Sequence, residues 1–460
     1  MAKRALRGQK RLNTIELNAP AAVLDIAKKL EAAGFETWAV GGAVRDALLG
    51  DHLADWDLTT RARPQDVQRL FKRTVPVGID HGTVGVLAKD GVMYEVTTFR
   101  RDVETFGRHA VVEFADNVEQ DLARRDFTFN AIAWHPLTGE LRDPYRGFDD
   151  LRNALLRTVG EPQERFAEDY LRVLRALRFA GHFVLKIDPP TWTALQQATP
   201  HLPLLSAERV REELWKVFTK TRHASGTLQL YADSGVLRVL YPELQAVLDL
   251  EQETGAPLWT HTLAAIDAVP VTRPVLRTAL LLHAVGAPTA KVKDLRGNWR
   301  FIGHEIMGAR TAEEILRRLR ASNADTAHIV HLVQMQAELF PPDASDGVVR
   351  RWLVQMGLPY LRDFFRFRIA HARGAGLAGA GHDGSDLAER WRHAHRILLQ
   401  HPALATSDLA INGRDLKALG LKPGPHFGEI LDTLLLRVLE DPDLNDRDTL
   451  LRIVQTELLA

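Results

Sequence analysis

Residues 38–60 read WAVGGAVRDALLGDHLADWDLTT, a glycine pair opening a short helical stretch and then the triplet Asp55-Trp56-Asp57. In a strand, successive side chains point to opposite faces, so Asp55 and Asp57 project together while Trp56 faces away. Two carboxylates on one face, shortly after a glycine turn, make a hard oxygen site that suits Mg²⁺ carrying a polyphosphate. The Gly41-Gly42 turn lets backbone N–H groups approach phosphates at a helix N-terminus, and Arg45 adds positive charge one turn in. The chemistry implied is nucleotidyl transfer. Taken singly, an Asp-x-Asp is more often a solvated loop or a cap, and a glycine pair more often a plain turn. Their order along the chain is what carries the reading.

At 460 residues the chain exceeds one compact core and predicts roughly two to four domains. Aromatics are only 7%, with Leu and Ala abundant, which favours helices over sheets. No segment approaches the roughly 18 uncharged apolar residues that cross a membrane. Residues 1–11 carry basic groups and no acid, and no apolar run follows, so they read as a disordered terminus rather than a secretory signal. The absence of cysteine rules out disulfides and cysteine-ligated zinc and points to the cytoplasm. With 59 basic and 59 acidic residues, net charge neither argues for a nucleic-acid partner nor excludes one. There is no internal repeat.

Up to about residue 150, strands and helices mix: FETWAV, DWDLTT, and TVGVLA-KDG-VMYEVTTF, whose Asp90-Gly91 marks a hairpin turn. From about 161 onward the pattern is amphipathic helix, as in 165–180, 207–219, 311–320 and 387–399. The glycine-rich stretch 374–384 has no periodicity and reads as a connector. In 350–373, Arg362, Arg366, Arg368 and Arg373 alternate with Phe364, Phe365 and Phe367. That pattern fits an aromatic core face with solvated arginines better than an RNA grip.

Two further stretches carry chemistry. In RRDFTFNAIAW (124–134), Arg124 and Arg125 stand beside an acid and an amide, groups able to hold a triphosphate and a ribose. In EDYLRVLRALRF (168–179), one helix would make Asp169 and Arg172 i,i+3 neighbours, with Arg175 and Arg178 extending the row. As an exposed ion pair, Asp169–Arg172 would add only a few tenths of a kcal/mol. It has a sharper use. The carboxylate can accept from the amino group of cytosine or adenine while the guanidinium donates to the ring. Uracil and guanine present a carbonyl there and are refused, because the wrong base leaves buried groups unpaired.

In order, GGAVRD with DWD, RRDFTFNA, DPYRGFDDL (143–151), EDYLRVLRALRF and SAERVREEL (206–214) resemble the class II tRNA nucleotidyltransferases, the CCA-adding enzymes and bacterial poly(A) polymerases. The segment 411–431 looks like the same family's tail, so the similarity spans nearly the whole chain. It implies an α+β head with a polymerase-β-like nucleotidyltransferase fold, a mixed sheet with helices, followed by an all-α neck, body and tail. The matching divisions are 20–150, 151–220, 221–345 and 346–460.

By that likeness Asp55 and Asp57 hold Mg²⁺, and Glu95 is the third catalytic carboxylate. Gly41, Gly42 and Arg45 meet the triphosphate, and Arg125, Asp126 and Asn130 surround the sugar. Asp169, Arg172, Arg175 and Arg178 form the base-reading helix. The implied partners are tRNA, CTP and ATP, with no membrane.

Departures from the family pattern keep alternatives open. Segment 102–110, DVETFGRHA, resembles the flexible loop that switches specificity from C to A, but Phe106 stands where an acid is usual. A CC-adding or A-adding specialist therefore remains beside the full CCA enzyme. Poly(A) polymerase is a further alternative, although VPVGIDHGTV (75–84) looks like the tRNA-directed version. Residues 261–336 resemble an HD phosphohydrolase domain through His261, His283 and His304, yet Ala284 replaces the paired acid and Gln336 another expected histidine. Three histidines without a carboxylate make a poor hard-metal site, so this region reads as a helical scaffold whose hydrolase site is lost.

Overall fold

The computed structural model describes residues 17–50, 56–79, 82–106, 109–251, 257–293, 295, 299–377 and 385–458; of these, 102–106, 109–112, 377 and 385 are described by backbone alone. Asp55, the basic stretch 1–11 and Arg108 lie outside the described residues. The chain forms two compact units, one of residues up to Val217 with Gly226–Leu240, the other of Phe218–Ser225 with Tyr241 onward.

The first unit begins with helix α1 (Ala21–Ala32), strand β1 (Thr37–Val40), helix α2 (Gly42–Leu48), β2 (Asp57–Thr60), α3 (Pro64–Leu70), β3 (Thr74–Gly78), β4 (Thr83–Leu87) and β5 (Met93–Thr98). It continues through β6 (Arg100–Phe106), β7 (His109–Phe114), α4 (Val118–Ala123), β8 (Ala133–Trp134), β9 (Leu141–Arg142) and α5 (Gly147–Arg152). Helices α6 (Pro162–Glu168), α7 (Leu171–Phe183), α8 (Pro189–Ala198) and α9 (Ala207–Lys220) follow. Seven strands form one mixed sheet in the order β3-β4-β5-β2-β1-β8-β9. Its β2–β5 pair is parallel and its other ladders antiparallel.

Local chemistry explains the arrangement. All four residues of β1 are buried, as befits a strand flanked on both edges and covered on both faces. Gly91 takes φ 82° at the β4–β5 turn, where Asp90 Oδ1 accepts from Val92 N at 3.0 Å. In β5, Tyr94, Val96 and Thr98 are buried while Glu95 and Thr97 are only half-buried, the alternation of a sheet with one face toward a core. DPYRGFDDL, expected as a turn, is a turn over 143–146 that leads into α5 from Gly147. Asp143 accepts from Gly147 N and Phe148 N at 2.7 and 2.9 Å, and a Cβ on Gly147 would lie 2.0 Å from Thr128 O.

Trp56 faces away from exposed Asp57 as expected, buried against Trp134 at a ring separation of 5.7 Å, and Asp57 opens the described strand. Two local expectations are corrected. The periodic stretch 165–180 is two helices, broken at Asp169-Tyr170, where Asp169 is extended at φ −153°. In the segment 102–110, expected as a loop, residues 102–106 and 109–110 are strand, in β6 and β7, whose register pairs Phe106 with His109, and Gly107 and Arg108 lie outside the described residues.

The second unit is mostly helical, with α10 (Leu258–Asp267), α11 (Pro274–Leu282), α12 (His304–Arg318), α13 (Asn323–Met335), α14 (Asp346–Met356), α15 (Leu358–Leu377), α16 (Ser385–Leu398) and α17 (His426–Glu440). A short hairpin, Lys291–Lys293 with Trp299–Phe301, interrupts the expected all-α pattern. Phe364, Phe365 and Phe367 are buried and Arg362, Arg366 and Arg373 exposed, the core arrangement read from sequence. The start of the supposed connector 374–384 is instead the last turn of α15. Among the described residues, no helix is long and apolar enough to cross a membrane.

Candidate active site

A cleft of about 520 Å³ opens in the first unit, floored by the sheet face that carries Asp57, Thr59, Glu95 and Thr97. The parallel register pairs Thr59 with Thr97, which brings the preceding Asp57 on β2 and Glu95 on β5 abreast at the cleft. Asp57 is exposed and Glu95 half-buried. Sheet geometry thus gathers two hard oxygen donors from distant strands.

The glycine turn forms the next wall. Gly41 adopts φ 71°, a conformation that disfavours other residues, and a Cβ there would lie 2.9 Å from Arg125 Nη1. Arg45, on α2, donates through Nη1 to Asn130 Oδ1 at 2.7 Å, and Asn130 Nδ2 donates to Asp126 Oδ1 at 2.9 Å. Arg175 closes the chain, donating to Asp126 Oδ2 through Nη2 and Nε at 2.6 and 2.8 Å. Burial pushes the Asp126 carboxyl up, but Arg175, the Asn130 amide and Arg172 outweigh it and bring it down to about 2. Asp126 is therefore a fixed anion. Behind it, the buried Asp121 accepts from Arg124 and Arg125 at 2.9 and 3.0 Å, and those guanidinium groups overcome its desolvation to hold it below the usual carboxylate range.

Asp169 and Arg172 also line the cleft, though not as the ion pair expected. The helix break turns the Asp169 carboxylate to Arg209 Nη2 at 2.7 Å and to Leu171 N at 3.1 Å. Arg172 donates to Glu168 and to Arg124 O, the latter at 3.0 Å. Each group is braced separately at the wall of the cleft. Arg178 is not part of this row. It is buried against Glu213, 2.7 Å from Nε to Oε2, and packs on Phe179. Phe179 itself, missed from sequence, lies beneath the guanidinium groups of Arg45, Arg175 and Arg178 at 5.2, 5.3 and 4.2 Å.

Three family models match along the chain: "Poly A polymerase head domain" over residues 37–157, "Probable RNA and SrmB- binding site of polymerase A" over 185–248, and "tRNA nucleotidyltransferase domain 2" over 291–454. The CCA-adding enzyme of Enterococcus faecalis is 36% identical over 443 residues, covering 94% of this chain and 95% of that one. The chain belongs to the class II tRNA nucleotidyltransferases. The CCA-adding enzyme of Latilactobacillus sakei is 32% identical across 94% of this chain and 97% of its own length. The solved CCA-adding enzyme of Bacillus stearothermophilus in complex with CTP superposes with a TM-score of 0.72 at 29% identity, covering 96% of this chain and 99% of that one.

For a nucleotidyltransferase of this family, the positions that sequence reasoning passed over are the braces. Glu168 and Arg209 both stand inside the quoted motifs, but their partners are set by the helix break and the fold. The HD-like histidines need a correction as well. His304 turns Nδ1 to Phe301 O at 2.7 Å and does not join His261 and His283; His371 of α15 does. Gln336 is buried and donates to His283 O at 3.0 Å, a packing role.

Proposed function

We propose that this chain builds CCA on the 3′ end of tRNA from CTP and ATP, without a nucleic-acid template. One observation carries the reading: the β2 and β5 carboxylates, the Arg45–Asn130–Asp126–Arg175 chain and the Asp169/Arg172 edges converge on a single cleft. Family membership supports the substrates, since the relatives are named CCA-adding enzymes and one is solved with CTP.

In this reading Gly41, Gly42 and Arg45 take the triphosphate. Arg125, Asp126 and Asn130 surround the sugar, with Arg175 keeping Asp126 anionic. Asp169 accepts from the amino group of cytosine or adenine and Arg172 donates to the ring, while a carbonyl from uracil or guanine meets the carboxylate and is repelled. The nucleotide is thereby held for in-line attack by the tRNA 3′ hydroxyl on the α-phosphorus. A P–O bond to the RNA forms as the bond to pyrophosphate breaks. Asp57, with Asp55 and Glu95, would hold Mg²⁺, which when bound supplies charge that acidifies the hydroxyl and offsets the leaving pyrophosphate. The exposed Asp57 and half-buried Glu95 on one sheet face at the cleft fit such a hard cation. The parts divide as head 20–150, neck 151–220, body 221–345 and tail 346–460, the tail reaching tRNA, and the enzyme works in the cytoplasm.

Three tRNA transcripts, ending at the discriminator base, at C and at CC, test this when offered CTP, ATP or both with Mg²⁺. CTP alone should give CC and both nucleotides CCA. A product that stops at CC replaces the reading with a CC-adding specialist, and extension only from the CC end with an A-adding one. Long A tails on unstructured RNA would make the enzyme a poly(A) polymerase.

A further inference from the structure

The second unit holds a histidine cluster that nucleotide addition does not use. His261 on α10, His283 at the end of α11 and His371 on α15 each offer one ring nitrogen, and these nitrogens lie within 4.8 Å of one another. The rings meet in tilted and edge-on contacts at 4.3, 5.1 and 5.4 Å between centroids. His261 and His283 are each only 2% exposed.

Both buried rings are anchored from behind. His283 Nδ1 donates to Leu280 O at 2.6 Å, and His261 Nε2 donates to His371 O at 3.0 Å. That leaves a buried lone pair on His283 Nε2 and on His261 Nδ1, and neither atom has a partner among the described residues. An imidazole whose N–H is tied to a backbone carbonyl while its other nitrogen stays free is oriented as metal-binding histidines are. An unpaired, desolvated nitrogen also costs stability, which a ligand would relieve.

The donor set selects the ligand. Among the described residues no carboxylate or thiol joins the cluster, and buried Ala284 stands where an acid would. Three imidazoles suit a borderline cation and not Mg²⁺. A tetrahedral site spaces nitrogens by about 3.3 Å, so the rings must close inward on binding. Arg368, one turn earlier on α15, gives its guanidinium to Gln336 O. Close approach of the helices is built in as well. A Cβ on Gly374 would lie 2.7 Å from His261 Cδ2, so glycine there lets α15 reach the ring.

We propose that His261, His283 and His371 bind one borderline divalent cation of the zinc class, tying α15 to α10 and the end of α11. It is a stability element, separate in residues and in metal type from the Mg²⁺ carboxylates of the cleft.

The test uses the full chain, stripped with EDTA, desalted and titrated with zinc sulfate by calorimetry, with bound metal counted by elemental analysis. The expected result is one equivalent bound, with a melting temperature several degrees above that of the stripped protein. His371→Ala and His261→Asn should each weaken binding by at least about tenfold, while His304→Ala and Asp57→Asn leave it unchanged. Should the variants fold poorly, Co²⁺ added to the stripped wild type decides. Intense visible bands of low-coordinate, nitrogen-bound Co²⁺ support the site, and their absence overturns it. Failure of the wild type to bind stoichiometrically, binding indifferent to His371 and His261, or binding lost with Asp57 would each also overturn it. CTP incorporation with Mg²⁺ alone should persist in the stripped protein, which separates this proposal from the reading of the cleft.

Discussion

Two arginine-centred networks, one in each unit, use the same side chain in opposite ways. In the first, Arg45 and Arg175 reach Asp126 directly or through Asn130, charge meets charge, and the network lines an open cleft. In the second, Arg277 is 1% exposed and spends its guanidinium on the backbone carbonyls of Val269, Phe218, Thr221 and Arg222 at 2.6–3.1 Å. The first network keeps hydrogen-bonding capacity for a ligand. The second is closed on itself and fastens the ends of helices α9 and α10 and the turns after them together. Burial of a charge marks function only where the charge still faces a space.

The contrast can be broken most forcefully at the cleft. Asp57→Asn should reduce CTP incorporation roughly a thousandfold or more, a loss of about 4 kcal/mol of transition-state stabilisation, while thermal melting stays near that of the wild type. Near-normal incorporation would remove the cleft from consideration. Arg277→Met should do the reverse. Leaving several buried carbonyls unpaired costs about 3 kcal/mol or more of stability, read by urea unfolding, with the ratio of CTP to UTP incorporation unchanged in the protein that remains folded.

Acid separates the networks further. Asp126 has a folded-state pKa of about 2, below that of an unfolded aspartate, so its contribution is complete above pH ~5 and is lost as the pH falls through about 2. The stability gap between wild type and Asp126→Asn should be flat from neutral pH to about 5 and shrink below that, starting from about 2 kcal/mol. A gap that widened on acidification would contradict an anionic Asp126. The smallest expected effect is the most specific. Arg172→Ala should lower the preference for CTP over UTP by about tenfold with tRNA affinity little changed, and Arg209→Ala should do part of the same by releasing Asp169. Unaltered preference in both would return these residues to helix packing.

Much of the first unit was legible because its signals are local. The Gly41 turn, the Asp90-Gly91 hairpin and the DPYRGFDDL turn each announce a backbone conformation within a few residues. The break at Asp169 was not legible, since Phe166, Val173, Leu174 and Leu177 keep a helical rhythm on either side of it. Once the break exists, Asp169 finds Arg209 and Arg172 finds Glu168, pairings that i,i+3 spacing on one helix could not anticipate. Arg178 was misread for the same reason: its buried partner, Glu213, comes from α9. In the second unit, His304 fits the spacing of an HD domain, whereas His371 enters the cluster through the packing of α15 on α10, for which the sequence carries no nearby sign.

The parallel pairing of β2 with β5 has a consequence in time. Every other ladder of the sheet is antiparallel, whereas this one requires the chain to leave β2, form α3, β3 and β4, and return before Leu58 can meet Val96. Long-range pairings of this kind form late, because loop closure must precede the contacts that reward it. Asp57 and Glu95 therefore come abreast only after the strands between them, β3 and β4, are in place, and the longer closure of β1 on β8, Val40 with Ala133, still has to complete the sheet. During refolding, helical signal should return before enzymatic competence.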